Sequence, residues 1–480
     1  MGSLLCETVT AGSMRDLLAA RDQATRGDMV ELRLDGVADL DVAGALEGRR
    51  KPVVATCRAA WEGGQFAGSE EERRRILASA FEYGAEFVDV EWQAGFQELV
   101  AANPSRAVVS WHCFEPAPAD LADRVRAMRA TGAATIKVAV RTPRLSDTVP
   151  LAAIGRQGGA VVIGMGDAGV PSRLLATQFG ARWTYAGDGV APGQIPAAQM
   201  LDRFRFRDVG PQTRLYGVVS QSALHSLSPA MHNRAFAEAG IDAVYVPLST
   251  DTFDDFLAFA EAMQVAGASV TIPFKLDALR AAARCEGVAT EVGAANTIRR
   301  GPAGWEATNT DLAGFAAPLE AAGDAALHGQ RASVLGAGGS ARAVVAALRK
   351  QGMTVTVHAR RAAQARELAS ALGCVVGPWP PAAGSWDLLV NTTPLGGANR
   401  RDVSPLPGGP FGGRLVYDLT YGAGESMLLA EARRAGCRVL DGLPMLVAQA
   451  ERQFEWWTGR RPRAGLMESA AREALGQLPA

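Results

Sequence analysis

The first half of the chain contains a lysine that suits covalent catalysis and a histidine that suits proton transfer. Lys137 lies between Ile136 and Val138 in an apolar, strand-like run. Burial disfavours the charged form of an amine and leaves a nucleophile that attacks ketones. The product is a Schiff base, whose protonated iminium withdraws electrons and acidifies the adjacent carbon. A buried structural ion pair is the alternative interpretation of this lysine.

His112 is the candidate that would move protons beside such an imine, because imidazole titrates close to neutral pH. Glu62 could then fix the tautomer and the orientation of the ring. Arg33, Arg58 and Arg173 offer forked donors for a carboxylate and hydroxyls on a substrate. A core histidine with satisfied hydrogen bonds is the alternative for His112.

Lysine is scarce in this chain, which makes the remaining lysines informative. Only Lys51, Lys137, Lys275 and Lys350 occur among 49 basic residues. We interpret Lys51 and Lys350 as surface residues and the other two as candidates for amine chemistry. Lys275 and Asp311 form a candidate proton-transfer pair, in which the ammonium donates to a forming alkoxide and the carboxylate holds it. A structural salt bridge is the alternative.

A glycine-rich turn in the second half indicates a dinucleotide site. Residues 332–343 read ASVLGAGGSARA, which predicts a strand, a turn with Gly336, Gly338 and Gly339, and a helix whose N-terminal N–H groups bind a pyrophosphate. The next strand ends at Arg360 and Arg361 and lacks the acidic residue that binds a ribose 2′-hydroxyl. Two arginines suit a 2′-phosphate, so NADP is the expected cofactor. A solvated basic helix start is the alternative.

Eight short apolar runs must position the candidates of the first half. They recur about every 20 to 28 residues, with helix-like stretches between them, and eight parallel strands close a (βα)8 TIM barrel. The runs are residues 4–8, 29–34, 53–57, 87–91, 107–111, 135–140, 160–163 and 182–185. Active sites of such barrels lie at the carboxyl ends of the strands, where these polar side chains would converge.

Length and composition exclude several classes of protein. A chain of 480 residues predicts at least two folding units. It is 48% hydrophobic and 21% charged with a formal net charge of -1, so neither nucleic acid nor a membrane is an expected partner. The six cysteines form no CxxC pair, which predicts reduced thiols, no metal site and a cytoplasmic protein. Without a recognisable signal segment, we expect the chain to begin near Met1.

Six segments of the first 200 residues resemble the type I 3-dehydroquinate dehydratases: VELRLD, TCRAAWEGG, SWHCF, TIKVAV, PSRLLATQFG and APGQI. The resemblance implies that Lys137 forms the Schiff base and that His112, backed by Glu62, transfers protons. It places five further residues around the substrate, namely Glu31, Arg33, Arg58, Arg173 and Gln194. Two positions depart from the family, Cys113 where HDF is usual and Val190 where a serine is usual. The second change implies the loss of a contact to a substrate hydroxyl.

Residues 214–475 resemble the shikimate dehydrogenases through HSLSP, VTIPFK, GAANT, NTD, GAGGSARA, NTTPLG and DGLPMLVAQAERQFEWWTG. The resemblance implies that Lys275 and Asp311 are catalytic. The implied substrate contacts are Ser226, Ser228, Thr271, Asn296, Tyr421 and Gln449. The implied cofactor contacts are Gly336, Ala337, Gly338, Gly339, Arg360, Arg361, Thr392 and Gly442. The two serines favour shikimate over quinate, and Arg360 is the arginine kept from the usual Asn-Arg-Thr motif.

Together these patterns predict three domains and two activities. Residues 1–208 would form the barrel, 214–312 with C-terminal helices at about 441–478 a shikimate-binding α/β domain, and 313–440 a Rossmann NADP-binding domain. The expected reactions are Schiff-base dehydration of 3-dehydroquinate to 3-dehydroshikimate and NADPH-dependent reduction to shikimate, with these small molecules as partners. The alternatives are a dehydratase fused to a quinate dehydrogenase and a non-catalytic ligand sensor, against which the presence of Lys137 and His112 argues.

Overall fold

The computed structural model describes residues 2–189, 192–322, 328–397 and 400–476. The chain forms two compact units. The first comprises Met1–Arg214 and Val246–Gln264, and the second comprises Leu215–Tyr245 and Val265–Ala480. Within the described ranges, no helix has the length and apolar character needed to cross a membrane.

Eight parallel strands form the core of the first unit, as predicted. They are β1 (Leu4–Thr10), β2 (Met29–Arg33), β3 (Val53–Thr56), β4 (Phe87–Glu91), β5 (Ala107–Pro116), β6 (Thr135–Arg141), β7 (Ala160–Met165) and β8 (Trp183–Ala186). They follow one another in the sheet, and β8 pairs with β1. The N–H of Arg182 donates to the carbonyl of Ala160 at 2.8 Å, which joins β8 to β7 and confirms the predicted (βα)8 barrel.

Helices alternate with these strands. They are α1 (Met14–Gln23), α2 (Val42–Leu46), α3 (Glu70–Glu82), α4 (Gln97–Ala102), α5 (Leu121–Arg129), α6 (Val149–Gly155) and α7 (Val170–Leu174). α3 begins with a capping box, in which the Ser69 hydroxyl accepts from the Glu72 N–H and the Glu72 carboxylate accepts from the Ser69 N–H. The capping box fixes where α3 begins, and Arg73, in the first turns of this helix, is buried.

One helix from the second half of the sequence belongs to the first unit. This helix is α9 (Phe253–Ala262). The Asp255 carboxylate accepts from the backbone N–H groups of Leu145 and Ser146 at 2.8 and 3.0 Å, at the start of a 3-10 helix that spans Leu145–Thr148. The Thr250 hydroxyl donates to the same carboxylate at 2.7 Å. The contact satisfies two amides at a helix start, where the backbone itself offers no acceptor.

A mixed sheet carries the candidate substrate residues of the second half. Its strands are β9 (Arg214–Ser220), β10 (Ala243–Ser249), β11 (Val265–Val270), β12 (Arg284–Cys285), β13 (Thr297–Gly301) and β14 (Gly304–Thr308), in the order β10-β9-β11-β13-β14-β12. The accompanying helices are α8 (Ser228–Glu238), α10 (Lys275–Ala281), α11 (Gly287–Val292) and α12 (Asp311–Ala321).

The remaining sheet is parallel and has the strand order of dinucleotide-binding folds. Its strands are β15 (Arg331–Leu335), β16 (Thr354–His358), β17 (Val375–Val376), β18 (Leu388–Asn391), β19 (Leu415–Asp418) and β20 (Arg438–Leu440). The order β17-β16-β15-β18-β19-β20 corresponds to 3-2-1-4-5-6 and confirms the predicted Rossmann fold. The helices are α13 (Gly339–Lys350), α14 (Ala362–Leu372), α15 (Met427–Arg434), α16 (Leu443–Thr458) and α17 (Leu466–Gly476).

Candidate active sites

A cavity of about 170 Å³ opens at the carboxyl ends of the barrel strands. All eight residues predicted for the first site line it: Glu31, Arg33, Arg58, Glu62, His112, Lys137, Arg173 and Gln194. They come from different strands and loops of the barrel, so their convergence follows from closure of the sheet. Val190 lies outside the described residues. Cys113 is half-buried, and its thiol donates to the carbonyl of Glu115 at 3.3 Å.

The Lys137 amine lies between two carboxylates and an aromatic ring. Its Nζ is 3.1 Å from Oδ2 of Asp89 and 3.4 Å from Oε1 of Glu31. The same atom lies 4.2 Å from the centre of the Tyr185 ring. The sequence neighbours Ile136 and Val138 point to the other face of the strand, so the groups around the amine are two carboxylates and a ring.

His112 and Glu62 form a pair at the same mouth. Nδ1 of His112 lies 3.0 Å from Oε1 of Glu62, which also accepts the backbone N–H of His112 at 2.6 Å. Burial, with the charges of Arg58 and Lys137, holds the pKa of His112 well below its usual value. Burial raises the pKa of Glu62 to about 8, although the charge of Arg58 opposes the shift. A neutral imidazole can accept a proton, and one contact from Glu62 fixes its orientation.

A row of alternating charges supports the floor of the site. The Arg58 guanidinium lies 2.8 Å from Asp89 and 3.1 Å from Glu91, and Arg73 forms an ion pair with the other oxygen of Glu91. Burial alone would raise the pKa of Asp89, but the charges of Arg58 and Lys137 outweigh it and hold that pKa below its usual range. The row gives each of these buried charges an opposite partner.

The guanidinium groups of the three predicted arginines differ in the partners that they already bind. Arg33 forms a two-pronged pair with Asp35 at 2.8 and 2.9 Å, and Arg58 is paired as described. Arg173 forms no ion pair among the described residues, and it reaches only the carbonyls of Tyr185 and Pro192 at 3.5 and 3.4 Å. Burial lowers its pKa to about 10. Arg173 is therefore the guanidinium best suited to an incoming carboxylate.

A second cavity of about 440 Å³ lies within the second unit. Its lining includes ten residues predicted for substrate, catalysis or cofactor: Ser226, Ser228, Thr271, Lys275, Asn296, Asp311, Thr392, Tyr421, Gly442 and Gln449. These residues are spread over more than 220 positions of sequence, from the start of α8 to α16. Folding brings them to one pocket.

Lys275 and Asp311 are in direct contact in this cavity. Nζ of Lys275 donates to Oδ2 of Asp311 at 2.6 Å, and the Asn296 amide donates to Oδ1 at 2.7 Å. The same amide lies 3.3 Å from Oε1 of Gln449. α12 and α16 approach closely at Gly314, where a Cβ would lie 3.0 Å from the backbone nitrogen of Gln449. The contact between Asp311 and Lys275 holds the lysine side chain at the wall of the pocket. This is the placement that a proton donor to a bound ketone requires.

A buried network that the sequence analysis missed supports the serine side of this cavity. The Tyr245 hydroxyl interacts with Ser228 and donates to Oγ of Ser269 at 2.6 Å. Ser269 donates to Oε1 of Gln453 at 2.7 Å, and the Gln453 amide donates to the carbonyl of Asn296 at 3.3 Å. The network joins two predicted substrate residues through side chains that sequence patterns do not distinguish from core.

The glycine turn after β15 fits a dinucleotide. Gly336 has φ 110°, and a Cβ there would lie 2.5 Å from Oγ1 of Thr392, so only glycine suits the position. Gly338 caps α13, and the unpaired N–H groups of that helix face the turn. At Gly442 a Cβ would lie 2.2 Å from the carbonyl of Leu419, which requires glycine there as well.

Three of the four residues from the end of β16 onward, His358, Arg360 and Arg361, have basic side chains. Arg360 and Arg361 are exposed, whereas His358 is buried and bonded to Ser333 at 3.0 Å and to the carbonyl of Pro378 at 2.6 Å. Two exposed guanidiniums without a neighbouring acid in positions 358–361 suit a 2′-phosphate. Among the described residues, no group of three histidine, cysteine or acidic side chains could hold a metal ion.

Family models match both halves of the chain. A model described as "Type I 3-dehydroquinase" matches residues 5–211. One described as "Shikimate dehydrogenase substrate binding domain" matches residues 218–298, and one described as "Shikimate 5'-dehydrogenase C-terminal domain" matches residues 442–472.

Individual relatives agree with these matches. The NADP(+) shikimate dehydrogenase of Moorella thermoacetica is 41% identical over 56% of this chain and 96% of its own. A solved shikimate 5-dehydrogenase of Thermus thermophilus, in complex with NADP(H) and shikimate, is 36% identical with a TM-score of 0.50, covering 55% of this chain and 100% of that one. The chloroplastic bifunctional 3-dehydroquinate dehydratase/shikimate dehydrogenase of Arabidopsis thaliana is 31% identical over 95% of this chain and 82% of its own. This chain belongs to the family of bifunctional 3-dehydroquinate dehydratase/shikimate dehydrogenases.

Proposed function

We propose that the chain converts 3-dehydroquinate to 3-dehydroshikimate at the barrel and reduces that ketone to shikimate in the second unit, with NADPH as the reductant. The observation that carries the proposal is the gathering of the predicted catalytic and substrate residues of each site around one cavity. The barrel cavity supplies an amine beside an imidazole, and the other supplies an ammonium held by a carboxylate.

In the first reaction the Lys137 amine attacks the ketone of 3-dehydroquinate and water leaves, which forms the imine. His112 takes a proton from the carbon next to the iminium carbon, and the electron pair is held by the iminium. His112 then protonates the departing hydroxyl, which leaves as water. Hydrolysis of the imine releases 3-dehydroshikimate and restores Lys137. Glu62 keeps the imidazole oriented through both proton transfers.

Arg173 binds the substrate carboxylate in this proposal. Its support is the buried guanidinium, which forms no ion pair among the described residues, although the charge of Glu31 acts on it from a greater distance. Glu31 accepts hydroxyls from Thr8 and Thr56 at 2.9 Å each and so has a fixed orientation toward Lys137. Gln194, Arg33 and Arg58 complete the polar wall around the substrate.

In the second reaction Lys275 donates a proton to the ketone oxygen while Asp311 holds the ammonium. NADPH, when bound at the glycine turn, would supply the hydride for the ketone carbon. Ser226, Ser228 and Asn296 bind the carboxylate and hydroxyls of the ligand, together with Thr271, Tyr421 and Gln449. The serine pair supports a preference for shikimate over quinate, and the ratio of turnover on the two alcohols tests it.

The turn formed by Gly336, Ala337, Gly338 and Gly339 would hold the cofactor pyrophosphate at the start of α13, with Thr392 and Gly442 nearby. Arg360 and Arg361 would bind the 2′-phosphate. We also propose the domain limits 1–208, 214–312 with helices at about 441–478, and 313–440. These limits follow the sequence, whereas by its contacts α9, inside the second range, groups with the first compact unit. Residues 477 and 478 lie outside the described ranges. A cytoplasmic location is supported by the six cysteines, all of which are free thiols.

A coupled assay tests the two activities and their assignment. The intact chain receives only 3-dehydroquinate and NADPH, and is compared with Lys137→Ala and Lys275→Ala. We expect the first variant to form no 3-dehydroshikimate and the second to accumulate it, each with a loss of at least about 1,000-fold at the altered site. Borohydride added with 3-dehydroquinate should add mass to the peptide that contains Lys137. Unmodified peptide at full turnover would contradict the imine.

A further inference from the structure

The catalytic lysine proposed for the second unit contacts the glycine turn directly. Nζ of Lys275 donates to Oγ of Ser340 at 3.0 Å, in addition to its 2.6 Å contact with Asp311. Ser340 is the second residue of α13, immediately after the glycines of the turn. The lysine ammonium is therefore held from two sides, by residues at the starts of α12 and α13.

The aliphatic part of the same lysine packs on the turn. A Cβ added to Gly339 would lie 2.8 Å from Cδ and 2.9 Å from Cβ of Lys275. Any larger residue at position 339 would therefore displace the lysine. The packing and the hydrogen bond are separate contacts, and both join Lys275 to the segment that suits the cofactor pyrophosphate.

The Ser340 hydroxyl has capacity for a second partner. A hydroxyl offers one donor and two acceptor positions, and the ammonium occupies one acceptor position. Within the described parts of the chain, this hydroxyl donates no hydrogen bond of its own. Its location at the N-terminal turn of a twelve-residue helix places the free O–H among N–H groups that attract an anion.

We propose that Ser340 is a positioning residue that couples cofactor binding at the glycine turn to the placement of Lys275. The hydroxyl accepts from the ammonium and keeps its own proton for an anion at the turn, so each contact polarises and strengthens the other. Reciprocity requires that the lysine amine in turn strengthens cofactor binding. This inference deepens the proposed reductase function and rests on it for the identity of the cofactor.

A double-mutant cycle on cofactor affinity tests the coupling without turnover. Binding of NADP+ alone is measured by titration calorimetry for the intact chain, Ser340→Ala, Lys275→Met and the double variant. Methionine keeps most of the aliphatic stem that packs on Gly339 and removes the ammonium. We expect Ser340→Ala to weaken NADP+ binding about fivefold when Lys275 is present and less than about twofold when it is methionine. Equal losses in both backgrounds, or no loss in either, would overturn the proposal.

Chemical labelling of Lys275 in the cofactor-free chain is the second measurement. Ser340→Ala removes an acceptor from the ammonium, so we expect acetic anhydride to label Lys275 several times faster. Lys51 and Lys350 serve as internal standards in the same digest. Ser340→Thr keeps the hydroxyl and should restore the original labelling rate, while Ser370→Ala, an exposed serine of α14, should change nothing. An unchanged rate in Ser340→Ala would overturn the contact.

The two measurements separate this inference from the function it rests on. If the intact chain binds no NADP+, the proposed reductase fails, and the labelling experiment still decides whether Ser340 holds Lys275. If NADP+ binds and shikimate is formed while the cycle shows no coupling, the function stands and the role of Ser340 is wrong.

Discussion

The Lys137 amine has surroundings that suit a group that is positive for most of a catalytic cycle. Asp89 and Glu31 contribute negative charge, and the face of the Tyr185 ring lies 4.2 Å from the nitrogen. A ring face attracts a cation without offering an atom that could take its proton. The iminium proposed for this site carries the same charge at the same atom. The ring therefore stabilises the cationic intermediate.

Substitution of Tyr185 separates the effect of the ring from that of its volume. Tyr185→Phe keeps the ring face, so we expect kcat of the dehydration within about twofold of the intact chain. Tyr185→Met fills a similar volume without a ring, and we expect kcat to fall about tenfold, as a buried cation–π contact predicts. Steady-state kinetics and the rate of borohydride trapping measure both. Equal kcat values for the two variants, with equal thermal stability, would contradict the role of the ring.

Glu62 should make the first unit less stable as the pH rises. Burial raises its pKa from 4.5 to about 8 in the folded chain, so between these values the folded state holds a proton that the unfolded state has lost. The free energy of unfolding therefore falls with increasing pH across that window. Glu62→Gln removes the titration. We expect the intact chain to lose about 3 kcal/mol more than the variant between about pH 5 and pH 8, measured by urea unfolding.

The control for this comparison is Glu82→Gln, which alters an exposed carboxyl at the end of α3. The free energy of unfolding of this variant should depend on pH in the same way as that of the intact chain. Parallel curves for the intact chain and Glu62→Gln would show that the carboxyl ionises normally.

At the scale of elements, β4 and α3 together support the barrel floor. β4 places Asp89 and Glu91 on the inner face, and α3 sends the fully buried Arg73 to Glu91 from outside the sheet. Arg58 lies between the two carboxylates. Loss of one member leaves a buried charge without compensation, which costs more than the pair itself contributes.

Arg73→Leu tests this support with a matched control on the same helix. We expect the free energy of unfolding to fall by about 3 kcal/mol, because Glu91 loses a buried partner. KM for 3-dehydroquinate should rise as Arg58 turns toward the unpaired carboxylate. Arg74→Leu removes an arginine one residue away whose side chain is 41% exposed, and it should change stability by less than about 0.5 kcal/mol. Similar losses for both variants would indicate a general effect on α3.

The eight strands of the barrel could be predicted from sequence, because their apolar runs are short, regularly spaced and bounded by polar segments. The five-residue extension of β5 beyond Trp111 could not, since its exposed end lacks an apolar pattern. Asp89 and Glu91 had a readable signal, namely carboxylates alternating with valines inside a strand. Ser340 and the network of Tyr245, Ser269 and Gln453 had none, because small polar residues reveal a role only through the partners that folding brings to them.

At the scale of the molecule, each site is complete within one unit. Every residue proposed for dehydration lies in the first unit, and every residue proposed for reduction lies in the second. Among the described residues, the lining of neither cavity includes a side chain of the other unit. Covalent linkage raises the local concentration of the intermediate but does not by itself create a channel.

A mixture of two variants, each of which lacks one of the two activities, tests whether the sites act independently. Lys137→Ala retains the reductase site and Lys275→Ala retains the dehydratase site, so an equimolar mixture should convert 3-dehydroquinate and NADPH to shikimate. We expect a lag while 3-dehydroshikimate accumulates in solution, followed by a steady rate within about twofold of half that of the intact chain. NADPH absorbance records the time course. A mixture that oxidises no NADPH would show that each site requires the other to be intact.

The membership of α9 in the first unit limits how this polypeptide could be divided. Gene fission at the boundary near residue 210 would give a dehydratase chain without Asp255, and the amides of Leu145 and Ser146 would lose their acceptor. Such a free-standing enzyme would need an acidic substitute of its own or water at that position. In this chain those two amides are bound by a carboxylate that follows all eight barrel strands in the sequence.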